Sequence, residues 1–235
     1  MSRRVISDAN SLLSFFEQYS LKEFANRPQQ KSDCKTLHKK LYGLMVFFAE
    51  LKANPEKVSE LNAPLFRYFD EVISDALLSI FSWAQGAYKP AKLELRCAIE
   101  NTLKALLSVG TPDIISEKRV YAIFDTAKKD RFFSTKFGSS ILNELKNQYA
   151  QLCETVHSTP VGLLPLHALS LLPHYEDAQS RKFSKQFVRI FDHILALLYF
   201  NFYEDVHNMH PENQKDVLDA LSRSQKINVQ REKFE

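Results

Sequence analysis

Apolar residues recur at intervals of three or four positions through most of the chain. The stretch 93–107 shows this period, with Leu95, Ile99, Leu103 and Leu106 at successive turns. Such spacing lines up apolar side chains on one face of an α-helix, whereas a half-buried strand alternates at every second position. The pattern therefore predicts an all-α protein.

Asparagine, serine, proline and glycine mark the ends of the predicted helices. Asparagine and serine favour a helix start, proline fits a first turn, and glycine favours a helix end. We predict one bundle of about six to eight helices, at 7–27, 32–54, 55–61, 62–86, 90–110, 114–126, 139–157 and 177–209, with a final short helix from Pro211. We predict a single domain, 1–235, with an N-terminal helical hairpin (1–60), a helical core (62–210) and a frayed tail (223–235).

The composition agrees with helices and excludes a disordered chain. Five glycines among 235 residues are few, because average proteins contain about 7% glycine and sheets need it for turns and bulges. Apolar residues make up 45% and charged residues 25% of the chain. This is the balance of an ordinary globular protein that can bury a substantial core.

Charge, cysteines and hydropathy indicate where the protein works. The net charge of +3 is too small to indicate nucleic-acid binding by itself, so only local basic patches are candidates. Cys34, Cys97 and Cys153 are widely spaced and include no CxxC pair, which is typical of reduced intracellular thiols. The first residues lack the apolar core of a signal peptide, and the apolar run at 194–202 is too short to cross a bilayer. We expect a cytoplasmic protein with no membrane contact.

The helix predicted at 90–110 carries Arg96 and Glu100 among apolar residues. Residues four positions apart lie one turn apart on one helical face, so these two can form an ion pair. A charge surrounded by apolar side chains needs such a partner. The pair is therefore either a structural salt bridge, buried or solvated, or the polar part of a functional site.

Tyr149, Cys153 and His157 recur every four residues and share one face of a later helix. A histidine in the last turn of a helix interacts favourably with the helix dipole, which explains His157 structurally. The functional alternative is that His157, with a pKa near neutrality, meets Arg96 and Glu100 across the bundle as an acid or base. Cys153 and His157 also have the spacing of two zinc ligands. No second pair completes such a site, so we predict no metal and no cofactor.

Two strings in these helices resemble bacterial HEPN-type helical proteins. They are Ala-x3-Leu-Arg-x3-Glu-Asn-x-Leu-Lys-Ala-Leu, from Ala91 to Leu106, and Tyr-x2-Leu-Cys-x3-His-Ser, from Tyr149 to Ser158. The resemblance implies a helical bundle that is often dimeric. Many proteins of this kind are metal-independent endoribonucleases of toxin–antitoxin, phage-defence or CRISPR systems, and others are non-catalytic binding modules.

The resemblance also implies a nuclease centre. In the nuclease members an arginine and a histidine, four to six residues apart, meet across a dimer interface and cleave RNA. Under this hypothesis Arg96, oriented by Glu100, stabilises the charged phosphate, and His157 serves as acid or base. No arginine here is followed by a histidine at the family's spacing. Arg189 and His193, with three residues between them, come nearest and are the second choice.

The connector before the helix that carries Tyr149 mixes basic and aromatic residues. Lys128, Lys129 and Arg131 stand there next to phenylalanines. Such mixtures bind single-stranded nucleic acid, but a solvated loop with aromatic anchors has the same composition. We predict these three cations, together with Lys104 and Tyr149, as binding residues.

Two functions follow as expectations. The first is a HEPN-like defence or toxin-type protein that acts on RNA, in its sharpest form a metal-independent endoribonuclease. The alternative is a non-catalytic helical interaction module of a bacterial defence system, with Arg96, Glu100 and His157 as an internal polar clasp. We expect a homodimer or a protein partner, with RNA as a further candidate partner. A cleaving centre lies in an open groove, whereas a clasp is enclosed and internally hydrogen-bonded.

Overall fold

The computed structural model describes residues 2–18, 24, 26–54, 56–57, 61–157 and 173–234, without the side chains of 12, 15–18 and 155–157. These ranges contain ten α-helices, joined between the fourth and fifth by a 3₁₀ turn at Pro112–Ser116. The helices are α1 (Arg3–Gln18), α2 (Pro28–Ala53), α3 (Ala63–Ala84), α4 (Tyr88–Leu107), α5 (Val120–Ala127), α6 (Lys136–His157), α7 (Asp177–Asn201), α8 (Tyr203–His207), α9 (Pro211–Ala220) and α10 (Arg223–Phe234).

The described residues form helices, turns and bends but no strand, which confirms the all-α prediction. They give ten helices rather than six to eight because the chain after Asn201 divides into three short ones. Part of the short helix predicted at 55–61 lies outside the described residues. In the described part of the chain, none of the helices has both the length and the apolar character needed to cross a membrane.

α3 and α4 pack side by side and are tied together at both ends. The side-chain oxygen of Asn62 accepts the backbone N–H of Leu65 and starts α3, while its amide nitrogen donates to the carbonyl of Ser108 after α4. The turn between the helices passes through Gly86, which has a φ of +76°. A side chain there would also collide with the backbone of His174, so glycine is required.

α7 packs against α2, α4, α6 and α10 and supplies much of the core. Phe183, Phe187 and Phe191 follow one another at intervals of four residues and are all buried. Trp83 of α3 is the single tryptophan of the chain. Its ring stacks on that of Phe183 with 6.1 Å between the ring centres, and its indole N–H donates to the hydroxyl of Ser180 at 3.0 Å. These contacts determine which face of α7 is buried. The opposite, polar face remains available for a functional site.

The helix predicted at 177–209 ends earlier than expected, at Asn201. The Asn201 side-chain amide donates to the carbonyls of Leu197 and Phe132, which holds the last turn of α7 against the connector. At Phe202 the backbone leaves the helical region, with φ −114° and ψ 37°. No proline or glycine accompanies this break, so the residue pattern gave no sign of it.

α10, predicted as a frayed tail, is helical throughout. Val229 is its one buried side chain, so the segment lacks the apolar stripe that identifies a helix in a sequence. Contacts with other helices hold it instead. Gln225 lies 3.2 Å from the ring of His193, and Phe234 packs edge-on against Tyr203. The prediction failed because these partners are distant in the chain.

Candidate functional site

Arg96 and Glu100 form the predicted ion pair on α4, with 3.5 Å between Nε of Arg96 and Oε1 of Glu100. Tyr149 of α6 joins them, because its hydroxyl donates to the same Glu100 oxygen at 2.7 Å. The Arg96 guanidinium lies 5.7 Å from the centre of the Tyr149 ring and 4.0 Å from the sulfur of Cys153. We call these four side chains the α4–α6 clasp.

The α4–α6 clasp is largely enclosed by its own contacts. Arg96 and Glu100 each expose 22% of their side chains. Burial, together with the hydrogen bond to Glu100, raises the pKa of Tyr149 above its usual range, so the phenol keeps its proton. The Tyr149 ring also packs edge-on against Phe124 of α5 at 5.8 Å. The clasp therefore ties α4, α5 and α6 together.

His157, the third residue of the first predicted centre, is the last residue of α6, and its side chain lies outside the described residues. Its predicted meeting with Arg96 and Glu100 therefore stays a prediction. Tyr149, which was predicted as a binding residue, is instead engaged within the clasp. The described part of the centre has the enclosed, hydrogen-bonded geometry rather than that of an open groove.

Arg189 and His193, the second choice, face an open pocket of about 540 Å³ lined from α6, α7 and α10. Arg189 donates to Oε2 of Glu144 at 2.7 Å, and Nε2 of His193 lies 3.9 Å from the same oxygen. Lys136 and Arg231 add positive charge to the walls. We call this the α7 pocket.

Asp192 also lines the α7 pocket, but its carboxylate is engaged in holding the fold. One oxygen accepts the ammonium of Lys40 at 2.7 Å and the backbone N–H of Ser222 at 2.8 Å. Burial opposes ionisation of this carboxyl, yet these hydrogen bonds outweigh burial and lower the pKa of Asp192. Lys40 is itself buried and also donates to the carbonyl of Ala220. Asp192 thus anchors the junction of α9 and α10 beside the pocket.

His193 is held as a neutral imidazole. Burial lowers the pKa of His193 below its ordinary 6.5, against the opposing charges of Glu144 and Asp192. Nδ1 lies 3.2 Å from the side-chain amide of Gln225. The amide nitrogen of Gln225 lies at this place and donates to Nδ1, which leaves the ring proton on Nε2. With the amide turned over, its oxygen accepts Nδ1–H and the lone pair is on Nε2. The orientation of Gln225 therefore decides which ring nitrogen can act as a base.

The predicted binding cations occupy three settings. Lys104 donates to a backbone carbonyl in the 3₁₀ turn at 3.4 Å. Lys128 forms an exposed ion pair with Asp125 at 2.6 Å. Lys129 and Arg131 line a second pocket, of about 630 Å³, beside α5. Only the last two therefore share a concave surface within the described part of the chain.

Glu144, Gln225 and Arg231 belong to the α7 pocket but were not predicted. Glu144 is one of several charged residues on the polar face of α6, and no local signal distinguishes it from the others. Gln225 and Arg231 lie in the segment that was expected to fray. Gln225 and Arg231 reach the pocket only because α10 packs against α7, and the local sequence does not show this packing.

Among the residues that the structure describes, no three histidine, cysteine or carboxylate side chains gather closely enough to hold a metal ion. The spacing of Cys153 and His157 involves a side chain outside those residues. No protein family, curated protein or solved structure matches this chain. The resemblance to HEPN-type proteins therefore rests on the two sequence strings alone.

Proposed function

We propose that this is a HEPN-like defence or toxin-type protein that cleaves RNA without a metal, with Arg189 and His193 as its reacting pair. One observation carries the proposal: the two side chains stand one turn apart on α7 and face the same open pocket, beside Lys136 and Arg231. The three cations that line the pocket are balanced by the three carboxylates Glu144, Asp192 and Glu232, so the pocket has no net positive charge. Direct contacts between these cations and phosphates can still position nucleic acid on a protein. The two HEPN-like strings support the class.

The ion pair between Arg189 and Glu144 can open for a phosphate. Their side chains are 57% and 34% exposed, and exposed pairs of this kind contribute only about 0–1 kcal/mol. A phosphate offers the guanidinium a bidentate and more highly charged partner. Glu144 therefore orients Arg189 in the unbound protein, and the substrate phosphate replaces it as the partner of Arg189.

The proposed reaction uses only these side chains and water. Neutral His193 takes the proton of a ribose 2′-hydroxyl, and the 2′-oxygen attacks the adjacent phosphorus. The bond from phosphorus to the 5′-oxygen of the next nucleotide breaks, that oxygen takes a proton from water, and a 2′,3′-cyclic phosphate remains. The hydroxide left by that water takes the proton from His193, which returns the imidazole to its neutral form. Arg189 stabilises the negative charge that develops on the phosphate oxygens.

The α4–α6 clasp has a bracing role in this proposal. Arg96 and Glu100, the first choice for catalysis, are held by Tyr149 and do not line the α7 pocket. Arg96→Ala should therefore lower the stability of the fold and leave the chemical step to Arg189 and His193.

Cleavage of labelled single-stranded and duplex RNA tests the reacting pair. General acid–base groups contribute about 100- to 10,000-fold to a rate, so His193→Ala should lose at least about 100-fold. Arg189→Ala should fall comparably, because it removes the charge that faces the phosphate. Arg181→Ala removes an exposed arginine from the same helix outside the α7 pocket and should cleave like the wild type.

Further arms of the experiment define the mechanism. EDTA should leave cleavage unchanged, and the products should carry 2′,3′-cyclic phosphate and 5′-hydroxyl ends. Intact RNA with the wild-type protein contradicts the proposal, as does full activity of His193→Ala. In cells, the wild type should arrest growth and His193→Ala should not.

The second candidate is a non-catalytic helical module that binds RNA or a protein partner. The closed α4–α6 clasp favours it, as does Glu144, which neutralises Arg189 in the unbound protein. This candidate predicts binding without cleavage, equally by the wild type and by His193→Ala. A homodimer belongs to both proposals, and sedimentation of the purified protein should give twice the mass of one chain.

A further inference from the structure

A second pocket, of about 630 Å³, lies where the end of α4, α5 and the connector to α6 meet. Tyr121 supplies an aromatic wall, Asp125, Lys129, Asp130 and Arg131 supply charged walls, and Gly110 lines it as well. The proposed cleavage chemistry does not use this pocket. We call it the α5 pocket.

Tyr121 presents its ring to solvent beside an exposed arginine. The residue is 63% exposed, yet Arg119 donates to its hydroxyl at 3.2 Å and lies 5.5 Å from the ring centre. Glu117 holds Arg119 in turn, accepting its guanidinium at 2.9 and 3.1 Å and its backbone N–H at 2.8 Å. These contacts lie at the surface, where ion pairs contribute little, so the ring rather than the hydroxyl is the feature that a ligand can use.

The exposure of Tyr121 does not result from a poorly packed helix. Ile123, Phe124 and Ala127 form a fully buried face of α5, and Tyr121 lies outside that face. Phe124 packs against Tyr149 of the α4–α6 clasp, which fixes α5 on the bundle. A rigid, exposed aromatic ring on a firmly held helix suits a stacking platform.

The charges around the ring suit the other parts of a nucleotide. Lys129 and Arg131 are exposed cations that can contact phosphates. Asp130 is partly buried between them, and its Oδ1 accepts the backbone N–H of Phe132 at 2.9 Å. Its Oδ2 faces Gly110, where a Cβ would lie only 3.3 Å away. Because position 110 has no side chain, this carboxylate oxygen can accept a hydrogen bond from a base amino group.

We propose that the α5 pocket binds one nucleobase of a single-stranded RNA. The base stacks on Tyr121, its flanking phosphates contact Lys129 and Arg131, and an exocyclic amino group donates to Asp130. Stacking accepts every base, whereas the carboxylate favours adenine, cytosine and guanine over uracil, which has no amino group. The inference rests on the proposed action on RNA and adds that the substrate is single-stranded.

The connector joins the α5 pocket to the α7 pocket. Arg131 lines the first and Lys136 lines the second. An extended chain spans at most about 3.6 Å per residue, so the Cα atoms of these two residues lie no more than about 18 Å apart. A short single strand can therefore reach from a base on Tyr121 to the reacting pair.

Fluorescence anisotropy with labelled adenosine, cytidine and uridine oligonucleotides tests the site, in the His193→Ala background so that the probes stay intact. Tyr121→Ala should weaken binding of the adenosine probe at least about fivefold, the lower bound for the loss of base stacking. Tyr121→Phe keeps the ring and should stay within about twofold of its parent. Leu78→Ala removes an exposed apolar side chain on α3 that lines neither pocket and is the matched control, with no change expected.

Asp130→Asn tests the preference among bases. The amide keeps an oxygen for the backbone N–H of Phe132 and places a donor where the carboxylate accepted. The uridine probe should then bind within about twofold of the adenosine probe. If the preference for the adenosine probe over the uridine probe is unchanged in Asp130→Asn, the Asp130 carboxylate does not contact the base.

Two outcomes overturn the site as a whole. One is a Tyr121→Ala variant that binds as tightly as its parent, and the other is a Tyr121→Phe variant as weak as Tyr121→Ala. Thermal unfolding checks that the variants fold, which the exposure of Tyr121 favours. If the wild type binds RNA without cleaving it and Tyr121→Ala binds weakly, the α5 pocket stands and the nuclease proposal fails. If the wild type cleaves and Tyr121→Ala keeps its KM for single-stranded RNA, the nuclease proposal stands and the α5 pocket fails.

Discussion

Glu100 receives two contacts of unequal strength in the α4–α6 clasp. The Tyr149 hydroxyl lies 2.7 Å from Oε1, within the range of a charge-assisted hydrogen bond, whereas Nε of Arg96 lies 3.5 Å from the same atom. Both contacts are largely shielded from water, so neither is as weak as a surface ion pair. Tyr149 therefore does more than Arg96 to hold the carboxylate, although the sequence drew attention to the ion pair.

Tyr149→Phe removes this hydroxyl and keeps the ring that packs on Phe124. We expect the free energy of unfolding to fall by about 1 kcal/mol, because a partly buried carboxylate loses a hydrogen bond. Urea unfolding measures the loss. Tyr121→Phe removes an exposed hydroxyl from α5 and should change stability by less than about 0.5 kcal/mol. Equal effects of the two variants would show that the Tyr149 bond contributes little.

Local spacing predicted part of the candidate sites and could not predict the rest. The four-residue steps from Arg96 to Glu100 and from Arg189 to His193 place each pair on one helical face, as the structure has them. Spacing cannot show which residue from another helix completes a pair. Glu144 reaches Arg189 only because α6 packs against α7.

At the scale of helices, α9 approaches α2 at a point where no side chain fits. A Cβ on Gly43 would collide with the Cβ of Ala220, which cannot rotate away. The same end of α9 continues into Ser222, whose N–H binds Asp192, and into α10, which carries Gln225. The spacing between α2 and α9 therefore affects one wall of the α7 pocket.

Gly43→Ala should lower the free energy of unfolding by about 2 kcal/mol. Overpacking against a rigid neighbour costs about 3 kcal/mol, and alanine regains about 1 kcal/mol of helix propensity. Urea unfolding of Gly43→Ala, with Gly110→Ala as the control at an exposed glycine, measures the difference. Adding Ala220→Gly to Gly43→Ala restores the space and should recover part of the loss. If the double variant recovers no stability, the strain in Gly43→Ala does not come from the contact with Ala220.

Helices with strong end signals were predicted closely, and those held by distant partners were not. The prediction of 62–86 for α3 agrees with Ala63–Ala84, because Asn62 caps its start and Gly86 forms the turn after its end. α10 has a single buried residue, Val229, so its helix depends on α7 and α8. Its amino acids alone match a solvated tail.

Across the whole molecule, two buried histidines couple stability to pH. Burial lowers the pKa of His38, against the opposing effect of Asp8 on α1, and burial likewise lowers the pKa of His193. The unfolded chain therefore binds protons first as the pH falls through 6.5, and stability decreases. Asp75 acts oppositely below about pH 6, because burial raises its pKa to about 6 and the folded chain then binds the proton first.

Unfolding in urea at intervals from pH 7.5 to pH 6 follows the two histidines, with Asp75 opposing them as the pH approaches 6. Each histidine should contribute a loss of at most about 0.8 kcal/mol over this range, the limit for an imidazole that stays neutral in the folded chain. His38→Gln keeps a side-chain donor near the position of Nε2, which contacts Asp8, but does not titrate, so it should show a smaller slope than the wild type. An unchanged slope in this variant would assign the pH dependence to other groups.

The burial of Trp83 provides a built-in optical probe of the whole bundle. Its indole has no solvent-exposed surface and is hydrogen-bonded to Ser180 of α7. Its fluorescence emission therefore changes when α3 separates from α7. Trp83 lines neither the α5 pocket nor the α7 pocket. Intrinsic fluorescence can therefore follow every unfolding experiment without a dye, and RNA bound in either pocket does not contact the fluorophore.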